Sequence, residues 1–213
     1  MTPLKIAITK GRLLESSIEL FELAGIECQA LKTPGRRLIL PIDNGRMEAV
    51  LAKAADVITY AEHGVCDLGI VGKDTIMEHS AQLYEIMDLE IGVCRLAVAG
   101  KPDTGFFSGI ERRRAATKFI NIAKNYFEKR CIDVELVKIE GSVELAPLLG
   151  LADVIVDIVE TGSTLKANGL VVLEEICPVS ARLVVNTAAM KLRKGEIDKL
   201  AEKLEKAVRE KNR

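Results

Sequence analysis

The chain has 213 residues, enough for one large domain or two small lobes around a sizeable core. Lys plus Arg number 30 against 31 Asp plus Glu, a formal net charge of −1, which lacks the basic excess that a nucleic-acid backbone binder needs. A 48% hydrophobic, 29% charged composition with 4% aromatics and no Trp excludes a disordered chain and an aromatic stacking platform, and predicts a core of Ile, Leu, Val and Ala.

Residues 4–9 form a short apolar run ended by Lys10 and Gly11, which predicts a buried strand. Apolar residues at helical spacing over 13–23, closed by Gly25, predict a helix. Strand-like runs follow at 26–31, 38–42 and 49–52, then a short helix over 56–62 that Gly64 ends, and strands at 68–71 and 84–89. Beyond Gly92 the pattern predicts a strand at 94–100, a loop, a helix over 117–129, a strand at 134–139 and a short helix at 143–149. A strand at 153–159, a helix from Thr164 and a strand at 170–174 come next, and the tail from Ile197 reads as an amphipathic helix.

This alternation predicts an α/β fold with mainly parallel sheets. No internal repeat or low-complexity linker is visible. Hinges are expected near Gly92 and Pro178, so that residues 1–91 plus 179–213 make one lobe and 92–178 the other, with a cleft between lobes for a small ligand.

Five widely spaced cysteines without a C-x-x-C pair argue for reduced thiols rather than a disulfide framework or structural zinc. The N-terminus lacks the apolar h-region of a signal peptide, and no run approaches the roughly eighteen apolar residues of a membrane helix. A cytoplasmic protein that binds neither membrane nor nucleic acid is expected.

The strongest chemical signal is DVIVDIVETGSTLKANGL, residues 153–170. An apolar strand delivers Asp157 and Glu160, then turns through Thr161, Gly162, Ser163 and Thr164 into a helix. A tight glycine turn, outward N–H groups at a helix start and three hydroxyls suit a phosphate monoester. The two acids suit ribose hydroxyls or a magnesium ion beside it. The plainer reading is a strand-to-helix turn with Thr161 as N-cap, but a carboxylate at Asp157 within an apolar strand is costly without a partner. The segment is not a P-loop, and no G-x-G-x-x-G follows the first strand.

Lys10 and Arg12 flank Gly11 at a helix N-terminus, where cations oppose the dipole unless an anion completes the site; a solvated pair of charges is the alternative. In YAEHGVCDLGIVGKD, residues 60–74, Asp67 and Asp74 bracket a buried strand, and Asp74 alone would read as a helix cap. Arg36 and Arg37, after Pro34 and Gly35, sit on a loop suited to polyphosphate.

The run E-x5-G-x-A-x2-I-x-D-I-x2-T-G-x-T-L, residues 144–165, resembles the signature of the ATP phosphoribosyltransferases, the first enzymes of histidine biosynthesis. KGRL at 10–13, DLGIVGKD at 67–74, CRLAVAG at 94–100, ATKF at 116–119 and ARLVVN at 181–186 follow in family order. Ile120 departs from the Pro that many relatives place after ATKF. The acids Asp157 and Glu160 are separated by two residues, unlike the adjacent pair of common nucleobase phosphoribosyltransferases.

The resemblance implies a two-lobed fold similar to type II periplasmic binding proteins. It also implies transfer of 5-phosphoribosyl from phosphoribosyl pyrophosphate to N1 of ATP's adenine. Under it, Thr161, Gly162, Ser163 and Thr164 grip the 5-phosphate, Asp157 and Glu160 lie at the ribose or its Mg2+, and Asp157 is the magnesium residue. Lys10 and Arg12 face the pyrophosphate or ATP phosphates, and Arg36 is a second cation on the leaving group, reaching across a dimer interface. Asp74 contacts the nucleotide and Glu144 orders the ribose side, while Arg182 makes a hinge salt bridge and His63 and His79 are structural. At this length the resemblance is to the short form, which implies a separate regulatory subunit similar to histidyl-tRNA synthetase and a homodimer within a hetero-octamer. The rival readings are a non-catalytic two-lobed binding protein for a phosphorylated metabolite and a salvage phosphoribosyltransferase for free bases.

Overall fold

The computed structural model describes residues 2–102, 104–108 and 113–211. The chain divides into two compact units, Met1–Gly92 with Ser180–Arg213, and Val93–Val179. Each boundary stands one residue beyond the position that the glycine and proline signals suggested.

In the first unit, β1 (Leu4–Thr9), β2 (Ile39–Ile42), β3 (Met47–Ala52), β4 (Leu68–Gly72), β5 (Leu83–Asp88) and β11 (Ala181–Asn186) form one sheet in the order β2-β3-β1-β4-β11-β5. Ile6, Ala7 and Ile8 of β1 are fully buried, as a central strand covered on both faces requires. One face packs Ile6 and Ile8 against Leu20 and Phe21 of α1 (Arg12–Leu23) and Leu200 and Leu204 of α9 (Lys194–Lys211). The other packs Ala7 against Val57 and Ile58 of α3 (Ala54–Glu62).

The second unit holds β6 (Cys94–Gly100), β7 (Arg113–Thr117), β8 (Val134–Lys138), β9 (Val154–Val159) and β10 (Val171–Val179), ordered β10-β6-β9-β7-β8. Phe127 of α5 (Ile120–Lys129) packs with Val154 and Val156 on one face. Ala146 of α6 (Leu145–Leu148) and Leu165 of α7 (Ser163–Ala167) pack with Ile155 and Val159 on the other.

The sheets are mixed rather than mainly parallel: among the described residues four strand pairings are parallel and five antiparallel. Three strands run against the rest, β2, β6 and β11. β6 and β11 are each the first strand after the chain passes from one unit to the other. Each inserts in reverse between two strands that point the same way, so one incoming strand creates two antiparallel pairings.

The orders β3-β1-β4-β11-β5 and β8-β7-β9-β6-β10 are the same topology used twice. The sequence shows no repeat because topology depends on which strands pair, and different apolar residues satisfy the same pairing. Three local readings also change. Residues 26–31 are not a strand: Cys28 and Leu31 are buried one helical turn apart, and α2 (Gln29–Lys32) forms there, an ambiguity inherent in short apolar runs. The helix expected from residue 117 begins at Ile120, because Thr117 ends β7, whose Ala115 and Ala116 lack the β-branched signature of a strand. The helices α4 (Lys73–His79) and α8 (Thr187–Leu192) are two turns or less, too short for a helical period to show in the sequence.

Candidate active site

In an α/β sheet the crevice for a ligand opens where connections leave neighbouring strands in opposite directions, at the strands' carboxyl ends. In the first unit that point lies between β1, whose connection leads toward β3, and β4, whose connection leads toward β5. Lys10, Gly11 and Arg12 follow β1, and Asp74 follows β4. Lys10 is anchored by its N–H donating to the Ala52 carbonyl at 2.9 Å, and the Lys10 and Arg12 side chains are exposed. The loop bearing Arg36 leads into β2, which is antiparallel to β3. The Leu51 N–H donates to the Leu38 carbonyl at 2.8 Å, so this loop meets the same sheet edge.

Asp74 lies in the first turn of α4 and is 9% exposed. Thr75 Oγ1 donates to its Oδ2 at 3.3 Å. A Cβ built on Gly72 would stand 2.1 Å from Asp74 Oδ1, so glycine at this position is what lets the carboxylate fold back over the end of β4. Arg182 stays within the first unit, pairing with Glu85 at 3.4 Å and Asp88 at 2.9 Å.

In the second unit the equivalent point lies between β7 and β9. Asp157 is half-buried in β9, opposite Ala97 of β6. Glu160 and Thr161 are exposed beyond the strand. Gly162 then reverses the chain at φ 76° and ψ 6°, a left-handed conformation that a side chain disfavours. Ser163 N–H donates to Thr161 Oγ1 at 3.3 Å, and the Thr161 and Ser163 hydroxyls are 3.0 Å apart. The Thr164 side chain is exposed. α7 is only five residues long, so its summed dipole is small, and the hydroxyls and N–H groups of the turn supply most of the attraction for an anion. Glu144 stands at the N-cap of α6, in the connection that leads into β9.

Four of the expected site residues, Lys10, Arg12, Arg36 and Asp74, therefore sit on the carboxyl edge of the first sheet. Glu144, Asp157, Glu160, Thr161, Gly162, Ser163 and Thr164 belong to the second unit, Asp157 within β9 and the others in the connections that enter and leave it. Sequence reasoning missed Arg95, which lies opposite Val159 beside this edge and pairs with Glu175 at 2.8 Å. Arg95, Glu160, Glu175 and Cys177 line a concavity of ≈ 550 Å³ within the second unit. Its signal is cross-strand register, which a linear reading does not contain.

Other candidates are structural. Asp67 Oδ2 accepts from the Lys5 N–H at 2.8 Å and from Arg193 Nη1 at 3.0 Å, tying the starts of β1 and β4 together at the opposite sheet edge. His79 Nδ1 lies 2.9 Å from the Thr75 carbonyl. Cys28 and Cys66 are buried thiols whose burial raises their pKa, that of Cys66 to about 11.

Residues 53–206 match the family model described as HisG, ATP phosphoribosyltransferase. The chain belongs to the ATP phosphoribosyltransferase family. An ATP phosphoribosyltransferase of Clostridium kluyveri is 53% identical over 207 residues, covering 97% of this chain and 94% of the relative. One of Clostridium botulinum is 51% identical over 211 residues, covering 98% of this chain and all of the relative. Among solved structures, an ATP phosphoribosyl transferase (HisG:HisZ) complex from Thermotoga maritima superposes with TM-score 0.82 at 32% identity, over 97% of this chain and 99% of that one. The periplasmic aliphatic sulphonate binding protein SsuA of Escherichia coli shares the fold, with TM-score 0.61 at 12% identity, over 98% of this chain and 69% of that one. The two-lobed fold of type II periplasmic binding proteins is thus common to this family and to solute receptors. No helix among the described residues is long and apolar enough to cross a membrane.

Proposed function

We propose that the chain catalyses the first step of histidine biosynthesis, moving the 5-phosphoribosyl group of phosphoribosyl pyrophosphate onto N1 of the adenine of ATP and releasing pyrophosphate. The observation that carries this is near-full-length identity of about half to curated ATP phosphoribosyltransferases. The rival reading as a non-catalytic binding protein rests on a 12% identical neighbour, which speaks to fold alone.

The N1 lone pair forms the new bond at the anomeric carbon as the C–O bond to the diphosphate breaks, and that electron pair leaves with pyrophosphate. Charge develops on the leaving group and on the ribose, so positioned charges matter more than a strong base. In this reading Thr161, Ser163 and Thr164 hold the 5-phosphate through hydroxyls and turn N–H groups, with Gly162 keeping the turn tight. Asp157 and Glu160 lie at the ribose. Lys10, Arg12 and Arg36 supply cations for the pyrophosphate and ATP phosphates, Asp74 contacts the nucleotide, and Glu144 steadies the ribose side.

Magnesium fits this donor set as a substrate-borne ion. The described residues contain no cluster of three His, Cys, Asp or Glu, and Mg2+ is commonly held by one or two carboxylates together with phosphate oxygens and water. Asp157 would be the protein's contribution, and the ion would neutralise charge on the diphosphate. A separate histidyl-tRNA synthetase-like regulatory subunit, in a hetero-octamer built on homodimers in the cytoplasm, completes the proposal. The two-component Thermotoga maritima complex supports a second subunit; the kind of subunit, the stoichiometry and the compartment follow from the resemblance to the short form.

A coupled assay tests the activity: pyrophosphate release should require ATP and phosphoribosyl pyrophosphate together. Release with free purine bases in place of ATP would make the chain a salvage enzyme, and no release with or without the regulatory partner would make it a binding protein.

A further inference from the structure

We propose that Lys118 is a phosphate-binding residue of the second unit, acting with the turn at residues 161–164; this deepens, and rests on, the reading of that turn as the 5-phosphate site.

The first reason is electrostatic. From Asp157 to Leu165 the chain carries two acids and no base. A phosphate monoester placed at the turn would meet dipoles and hydroxyls but also two carboxylates of its own sign. The first base after it, Lys166, stands in the last turn of α7; a second cation, at the strand side of the turn, comes from another segment, and the strand beside β9 at the switch point is β7. The register Ala116↔Ile155 and the bond from Thr117 Oγ1 to the Val156 carbonyl hold the end of β7 against β9, so Lys118 leaves β7 beside the stretch where β9 approaches its turn.

The second reason is how firmly that corner is held. Thr117 is fully buried. Its Oγ1 donates to the Val156 carbonyl at 2.6 Å and accepts from the Phe119 N–H at 2.9 Å. These bonds bracket Lys118 and lock the corner to β9. The Lys118 side chain is exposed, while its Nζ lies 4.6 Å from the centroid of the Phe119 ring, itself 4% exposed. Among the described residues no carboxylate is paired with it. An aromatic face orients an ammonium without neutralising it, so the full charge remains available to an anion.

The third reason comes from the doubled topology. β1 in the first unit occupies the place that β7 occupies in the second. Thr9 at the end of β1 donates Oγ1 to the Ile70 carbonyl of β4 at 3.1 Å, and Lys10 follows. Thr117 at the end of β7 bonds to β9 in the same manner, and Lys118 follows. A Thr-Lys pair thus closes the strand beside the crevice in both units: a hydroxyl bonded to the neighbouring strand, fully buried at Thr117 and half-buried at Thr9, then a lysine at the open edge.

The test is calorimetric titration of the full chain with phosphoribosyl pyrophosphate in magnesium buffer. Losing one charge-assisted contact predicts a Kd raised about tenfold or more for Lys118→Gln. The melting temperature and ATP affinity should be unchanged, and Lys118→Arg should recover most of the loss. A Thr161→Val/Thr164→Val variant run in parallel separates the two readings. If that variant binds weakly while Lys118→Gln binds as wild type, the lysine has no part in the site. If the hydroxyl variant also binds as wild type, the turn is not the phosphate site and the lysine assignment falls with it. A lower melting temperature for Lys118→Gln that Lys118→Arg does not restore would make the residue structural.

Discussion

Arg193→Met should separate stability from function, because Arg193 ties down the sheet edge opposite the proposed site. Its side chain is 16% exposed. It donates to the Thr2 and Pro3 carbonyls at 3.0 and 3.1 Å, to Asp67 Oδ2 at 3.0 Å, and to both oxygens of Glu196 at 3.0 and 2.8 Å. The Glu196 bond chiefly raises the Arg193 pKa and lowers that of Glu196, so the pair is ionised throughout the neutral range. Methionine keeps much of the stem's packing and removes every one of these bonds. The exposed Glu196 pairing is worth only about 0–1 kcal/mol. The cost comes from Asp67, whose carboxylate is 20% exposed and keeps only the Lys5 N–H among its described partners, and from two carbonyls that lose a charged donor. At about 1.5–3 kcal/mol for a hydrogen bond to a charged group, less where water re-enters, the total is about 2–4 kcal/mol. Urea unfolding at neutral pH measures this, and Asp67→Asn in a double-mutant cycle should show coupling of about 1–2 kcal/mol. Titration with phosphoribosyl pyrophosphate should give the wild-type Kd. A loss below about 0.5 kcal/mol would show that the network is solvated rather than structural, and a changed Kd would contradict the placement of the site at the carboxyl edge.

Arg12→Ala should lower turnover by two or more orders of magnitude while leaving the melting temperature within a degree or two; near-wild-type turnover removes Arg12 from the site. Gly72→Ala has no backbone penalty at φ −65° and ψ 144°, so its effect is displacement of the Asp74 carboxylate. A destabilisation of about 1–3 kcal/mol and weakened ATP binding are expected, and unchanged ATP affinity would take Asp74 out of the nucleotide site. Burial holds the Cys66 thiol protonated up to about pH 11, against an ordinary value of 9.0. A raised acid pKa contributes stability that is complete below pH 9 and lost as pH rises toward 11. Wild-type chain should therefore lose stability faster than Cys66→Ala across pH 9–11, and parallel pH profiles by chemical denaturation would contradict the burial argument.

What was legible in the sequence is what neighbouring residues decide. β1, β3, β4, β6 and β9 announce themselves as apolar runs ended by glycine or charge. The segment from Asp157 to Thr164 is legible as a site because its acids, glycine and hydroxyls are contiguous, so one turn assembles them. The motifs that identify the family are local in the same sense. Residues 26–31 read as a strand because a short apolar run fits a helix or a strand equally well until its neighbours choose, and β7 reads as loop because RRAAT carries no β-branched or aromatic run.

Strand direction belongs to tertiary structure, since a reversed strand has the same apolar pattern as a forward one. β6 and β11 enter backwards because of where the chain crosses between units, and that turned an expected parallel sheet into two mixed ones. The repeated order of the two sheets is likewise invisible to residue identity. Length and composition had excluded nucleic-acid binding and disorder, and left one or two compact units. Tertiary contact decided how those units are built, bringing Thr117 to Val156, Arg95 opposite Val159, and Arg193 to Asp67. Each of these pairs is far apart in the chain, and only the folded sheet makes them neighbours.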